Sequence, residues 1–220
     1  MTTPISESTV ERFREAAAGG QPAPAGVAVA AVSASFALGL LAKALAVSAR
    51  RGGPAADLAR RQPLLDTLRA ESARMLQLAA DDTAAFEAYL ACARLPHATE
   101  RERIERRSAL DAALGKAIDL PLAAAAAAAA GLQCSAEALS LVDLVVLADL
   151  GAAVALLSGA LRAFLLCAES NVRVLGSRMS AYRERLAEET GRHRSALQLA
   201  EEVLGRAAGR LSTASPGSEA

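Results

Sequence analysis

Residues 138–171 are apolar almost throughout, yet they contain Asp143, Asp149 and Arg162. A segment of this length and character reads as the central helix of a helical domain, surrounded by other helices. On a 3.6-residue period Asp143 and Asp149 project to opposite sides, and Arg162 points elsewhere again. A bare carboxylate in an apolar setting is costly unless it is paired or hydrogen-bonded. Each aspartate therefore has a partner, lines a polar site, or lies near a helix end or a solvent-exposed seam. The residues alone leave these open.

The rest of the composition fits such a core. The chain has 220 residues, no Trp and few aromatics, so its interior must be built from Ala, Leu and Val. Helices packed with such small side chains must be long, or pack on a second subunit, to bury enough surface. Residues 22–42 and 120–136 carry no charge. They are mostly Ala, Gly, Ser and Val, which is weak hydrophobicity for a bilayer span, so close helix packing is expected and no membrane. The 24 basic and 24 acidic residues balance, which argues against a nucleic-acid binder built on bulk charge. Three cysteines without a C-x-x-C spacing read as buried free thiols in a reducing compartment. Residues 1–14 have no apolar core of the signal-peptide kind, so the expected location is the cytoplasm.

Taken in order, residues 4–18 form a short helix with Val10, Phe13 and Ala17 on one face. Gly19–Gly26 is a turn, and 27–49 is an apolar helix with Lys43 as its only charge. Residues 50–54 break the chain, and a helix runs from about 55 to 94, with Pro63 near its true first turn. Thr99-Glu100-Arg101-Glu102 is a capping-box pattern. The helix it opens is expected to kink or split at Pro121, and a further break is expected at Gly131–Ser135. The eight alanines at 123–130 read as a tightly packed helix. An interruption is expected at Gly176 or Ser177, then a charged amphipathic helix from 179 to about 208 and a disordered tail over 209–220. Nothing alternates with period two for long enough to propose a sheet. The expectation is all-α: a single domain, residues 1–208, of about six long helices.

Chemistry-bearing patterns are few. His97 and His193 lie far apart in charged or turn regions, and no convincing metal set exists. There is no phosphate-binding loop and no helix-turn-helix signature. Asp81-Asp82 is the more informative feature. It interrupts an apolar run in mid-helix, where aspartate has poor helix propensity and no cap to make. Asp82 shares a face with Phe86 at i,i+4. The pair is either a solvated helix face or has one acid directed into a pocket.

Several residues then fall into a known order. Asp81, Asp82, Ala85 and Phe86, the downstream Leu95-Pro96 and Leu120-Pro121-Leu122, Asp149 and Leu161-Arg162 together resemble the cyclodeaminase/cyclohydrolase family that acts on tetrahydrofolate. The resemblance covers about Val10 to Leu204. It departs in places. Of the family's glycine turn only Pro24 and Gly26 persist, with Val27 where a glycine would stand. The Asn, Thr and lysine loop after the first long helix correspond to Ala46, Ser48, Arg50, Arg51 and Gly52. Ala148 replaces a Ser. The family's two Asn, four apart, fall on Cys167 and Asn171; a one-turn insertion would instead place the first of them on Asn171.

The resemblance implies an all-helical homodimer that binds a tetrahydrofolate derivative as substrate, without a metal. The reaction would be of the formiminotetrahydrofolate cyclodeaminase or methenyltetrahydrofolate cyclohydrolase type. Both move a proton at nitrogen and stabilise a cationic one-carbon centre, which suits a carboxylate. Asp82 and Asp149 are the catalytic candidates, expected to face a common space within one subunit or across a dimer seam. Pro24 and Gly26 would lie close to the ligand. Arg50 or Arg51 would meet the glutamate tail or another anion, Asn171 would hold a ring N–H or C=O, and Arg162 is retained with them. Arginine does not readily replace lysine in acid–base work, because it stays protonated. The alternative is a catalytically impaired member that serves as a helical ligand-binding or scaffold protein.

Overall fold

The structure, a computed structural model, describes residues 5–175 and 180–213. Among them there are six α-helices and no strand: α1 (Val10–Ala18), α2 (Gly26–Arg50), α3 (Ala55–Ala93), α4 (Glu100–Ala138), α5 (Leu147–Leu175) and α6 (Ser180–Thr213). Helix α1 starts where the Thr9 hydroxyl accepts the Arg12 N–H at 3.2 Å. Helix α4 starts at the capping box expected from sequence. There Glu102 accepts the Ala98 and Thr99 amides, and Thr99 accepts the Glu102 amide.

Helices α2, α3, α4 and α5 form a closed ring in which each packs on the next, and α6 lies in the outer groove between α4 and α5. Helix α2 runs antiparallel to α5, since Gly26 lies against Cys167 while Lys43 pairs with Asp149. The core holds Leu38, Leu41 and Leu45 of α2, Leu68 and Met75 of α3, Leu132 of α4, and Leu157 and Phe164 of α5, all without exposed surface. Small residues let the backbones meet. Ala124, Ala125, Ala127, Ala128 and Ala129 of the alanine run are buried. A Cβ added at Gly131 would stand 2.5 Å from Leu38 Cδ2 and 3.3 Å from Leu157 Cδ1.

Two expected interruptions do not occur. Helix α4 passes unbroken through Pro121 and through Gly131–Ser135. Alanine-rich flanks of high helix propensity, buried on three neighbours, outweigh one lost amide hydrogen bond and one glycine. Pro63 is not in the first turn either: α3 begins eight residues earlier, and the buried Leu64, Leu65 and Leu68 hold the turn after the proline in place.

The stretch read as one central helix is two segments. Helix α4 ends at Ala138 and α5 begins at Leu147, with a turn between them. Backbone carbonyls of that turn are satisfied by two arginines from distant helices. Arg61, only 5% exposed, donates Nε and Nη2 to the Leu141 carbonyl at 3.2 and 2.9 Å. Arg210 donates to the Leu139 and Val142 carbonyls. The Asp143 amide donates to Ser48 Oγ at 2.9 Å, and its carboxylate lies 3.4 Å from Arg51. Asp143 therefore precedes the helix. Helix α6 continues to Thr213, past the point where structure was expected to end. Residues 214–220, and Gly176 and Ser177 where an interruption was expected, lie outside the described residues.

Helices α2, α4 and the segment Leu144–Val174 are long and apolar enough to cross a membrane by length and composition alone. In the first two, 61% of the most apolar window is buried within the chain, but in Leu144–Val174 only 44%. The outer surface of α5 is thus apolar and largely uncovered, and it carries Leu156 and Leu166 beside the exposed Val29 and Phe36 of α2.

The packing at Gly131 has a direct test. Gly131→Ala gains up to about 1 kcal/mol of helix propensity. It also overpacks fully buried leucines, at a cost of about 1–3 kcal/mol. Its melting temperature is expected to fall, whereas Gly205→Ala, on α6 with open space around the new Cβ, is expected to raise it. Thermal unfolding followed by circular dichroism reads both.

Candidate functional site

Helix α2 begins without a side-chain cap, because Ala25 occupies the N-cap position. Its first amides therefore need acceptors from elsewhere. Asp82 of α3 supplies one: its carboxylate accepts the Ala28 backbone N–H. A carboxylate is also favoured there by the positive end of the helix dipole. Burial works against it, and is the larger effect, so the Asp82 carboxyl is pushed up to about 6. Its neighbour Asp81 accepts Gln77 Nε2 at 2.8 Å within its own helix. Of the acidic pair, Asp82 is the one turned into the bundle.

Cys167 of α5 completes this corner. Its Sγ would lie 3.1 Å from a Cβ on Gly26, so only glycine fits at the start of α2 without displacing the sulfur. Burial, and then the charge of Asp82, push the Cys167 thiol above its ordinary value. It is a thiol at neutral pH and not a nucleophilic thiolate. Asp82, by contrast, titrates in the range where a group can both give and take a proton.

Gly26 also lines a groove of about 540 Å³ between the α1–α2 turn, α2 and α5. Ala17, Pro24, Val29, Leu156, Gly159 and Ala163 form its walls, and Ser33 adds a hydroxyl already donating to the Val29 carbonyl at 2.9 Å. The groove is apolar and open along one side. Neither Asp82 nor Asp149 lines it; Asp82 sits behind Gly26 at its end.

The structure brings together Pro24, Gly26 and Asp82, and disperses the other sequence candidates. Asp149 accepts Lys43 Nζ at 2.9 Å on the same α2–α5 seam. Fifteen residues of helix separate Lys43 from Ala28, roughly 22 Å. Within one chain the two aspartates therefore do not share a space, because the antiparallel helices carry them at opposite ends. Arg50 and Arg51 lie at the far end of α2, Arg50 exposed and Arg51 beside Asp143. Arg162 donates to Ser158 Oγ of its own helix and across to Glu201 Oε1 of α6, both at 3.2 Å. Asn171 faces α4 and donates to the Ala117 carbonyl at 2.6 Å.

Some residues gain an importance that little in the sequence marks. Lys43 was legible as the lone charge of an apolar helix, but its partner was not. Cys167 was legible only as a departure from the family's Asn. His193 lies in a charged segment of sequence, yet it is buried on α6 with its Nε2 3.3 Å from Glu189. Among the described residues no group of three or more His, Cys, Asp or Glu could hold a metal ion.

A family model described as formiminotransferase-cyclodeaminase matches residues 9–191. In fold, the chain is similar to a formiminotetrahydrofolate cyclodeaminase from Thermotoga maritima. The TM-score is 0.82 at 15% sequence identity, over 94% of this chain and 99% of that one. No curated protein sequence matches.

The environment of Asp82 makes stability depend on pH. Its carboxyl is raised from 3.8 to about 6 on folding, so the folded chain holds a proton that the unfolded chain releases. That contribution is fully present below pH 3.8 and is lost as pH rises through about 6. Asp82→Asn, which cannot ionise, is expected to gain stability relative to the parent between pH 4 and pH 7.5. Urea midpoints of both proteins at the two pH values measure this; an unchanged difference would mean the carboxyl is not raised.

Proposed function

The chain belongs to the formiminotransferase-cyclodeaminase family, and we propose that it acts on a reduced folate, opening or closing the one-carbon bridge between N5 and N10. In the cyclodeaminase form ammonia leaves the formimino group; in the cyclohydrolase form water attacks the methenyl carbon. The observation that carries the reading is Asp82, a carboxyl pushed up to about 6 and seated behind Gly26 at the end of an apolar groove. The groove's flat walls suit the pterin ring, with Pro24 and Gly26 against it. Asp82 exchanges the proton at the ring nitrogen and offsets the positive charge of the one-carbon centre. No step needs a metal.

The site is completed by a second copy of the chain. The face formed by α2 and α5 exposes Val29, Phe36, Leu156 and Leu166. A Cβ added at Gly39, Gly151 or Gly159 would meet no atom within 4 Å, which leaves room for another backbone. A twofold axis through the middle of this face lays α2 and α5 of the two copies antiparallel. The Lys43–Asp149 end of one copy then meets the Gly26–Asp82 end of the other. Asp149 and Lys43 thereby join Asp82 at each of two sites, and Arg50 or Arg51 reaches the anionic tail of the ligand. Burying the α5 surface in this way also accounts for its hydropathy without a bilayer, and gives a soluble, cytoplasmic homodimer.

A second reading is favoured by the cap that Asp82 provides for α2, and by Arg162 and Asn171 being engaged in helix–helix contacts. Here the family fold persists as a ligand-binding or scaffold protein without turnover.

Turnover of 5,10-methenyltetrahydrofolate and of formiminotetrahydrofolate separates the two. Asp82→Asn is expected to lower turnover by about 10²-fold or more. Heterodimers of one Asp82→Asn and one Asp149→Asn copy, isolated through two different tags, should regain roughly half the parent activity, since one of their two sites is intact. Heterodimers as inactive as either homodimer would remove Asp149 from the partner's site. A dimer that binds no reduced folate would leave the scaffold reading standing.

A further inference from the structure

A second groove, of about 510 Å³, runs along the outer seam of α5 and α6, separate from the α2–α5 face. Three guanidinium groups line it: Arg173 from α5, and Arg183 and Arg194 from α6. The one acid among its lining residues, Glu169, accepts Arg173 Nη2 at 2.7 Å. No ion pair engages Arg183 or Arg194 among the described residues. The groove therefore has an excess of positive charge in a chain whose formal net charge is zero.

Its floor is apolar. Val172 is buried and packs in a cluster with Leu114 and Ile118, and Leu186 lies against the same cluster. Gly191 has nothing within 4 Å of an added Cβ, so the groove is open at that point, and the Thr190 hydroxyl is beside it. Arg183 and Arg194 are eleven residues apart on one face of α6, roughly 16 Å along the axis. A compact anion can reach only one of them. An extended peptide rises about 3.3 Å per residue, so about five residues cover the span.

We propose that this groove binds an extended acidic peptide segment of a partner protein, with carboxylates near both ends and an apolar side chain between them. The end carboxylates pair with Arg183 and Arg194, where the guanidinium fork allows two parallel hydrogen bonds. The apolar side chain rests on Val172 and Leu186. Charge complementarity selects the partner, and salt weakens the contact because the arginines are solvent-exposed.

The test uses the full chain and a fluorescein-labelled peptide, Glu-Ala-Leu-Ala-Glu, read by fluorescence anisotropy at low salt. The Arg183→Gln/Arg194→Gln double variant is expected to weaken binding by at least about tenfold. Replacing both peptide glutamates by Gln should have the same effect. Gly191→Leu fills the groove without altering charge and should also abolish binding. Because these positions are exposed, circular dichroism should match the parent. Inorganic phosphate and pyrophosphate serve as competitors at equal ionic strength. No binding to the parent, binding indifferent to the arginine and Gly191 changes, or displacement by phosphate as effective as by unlabelled peptide would each overturn the proposal.

Discussion

The close approach of helix backbones through alanine and glycine is the contact on which the structure depends. At Gly131, Leu38 of α2 and Leu157 of α5 come within the space a single methyl would need. The buried alanines before it extend that contact along α4. Packing of this kind fills volume with few large side chains, and it restricts the geometry, since an atom added at such a contact forces buried side chains to shift.

The antiparallel pair of α2 and α5 organises the polar residues. One end of the seam has Gly26, Cys167 and Asp82; the other has Lys43 and Asp149. The uncapped start of α2 and the half-buried Asp82 serve one another. The helix gains an acceptor, and the carboxylate gains a donor that partly offsets its desolvation. Burial still dominates, which is why the group titrates near neutrality. A structural role and a proton-transfer role are therefore compatible at this position, because both need the carboxyl held at the same amide.

The amount of fold legible in sequence follows from what each signal measures. The capping box at Thr99 and Glu102 is local chemistry and appears where it was read. Pro121, Pro63 and Gly131 are local signals too, but tertiary packing on their flanks overrides them. The turn at 139–146 was hidden for the opposite reason. Its residues are apolar enough to continue a helix, and what halts them is a set of carbonyl acceptors met by Arg61 and Arg210, far away in sequence. At the candidate site, Asp82 was legible as a carboxylate with no local function in mid-helix. Asn171 and Arg162 were legible only through family order, and the structure turns both toward neighbouring helices.

By itself the sequence determined an all-helical chain with an alanine-built core, through composition and periodicity, and a family resemblance, through the order of its residues; which acid of the pair at 81 and 82 turns inward it left open. Only the tertiary structure decided that Asp149 stands a helix length away from Asp82. The direction in which two helices pack is set by shape complementarity along their whole contact, and no local pattern of residues encodes it.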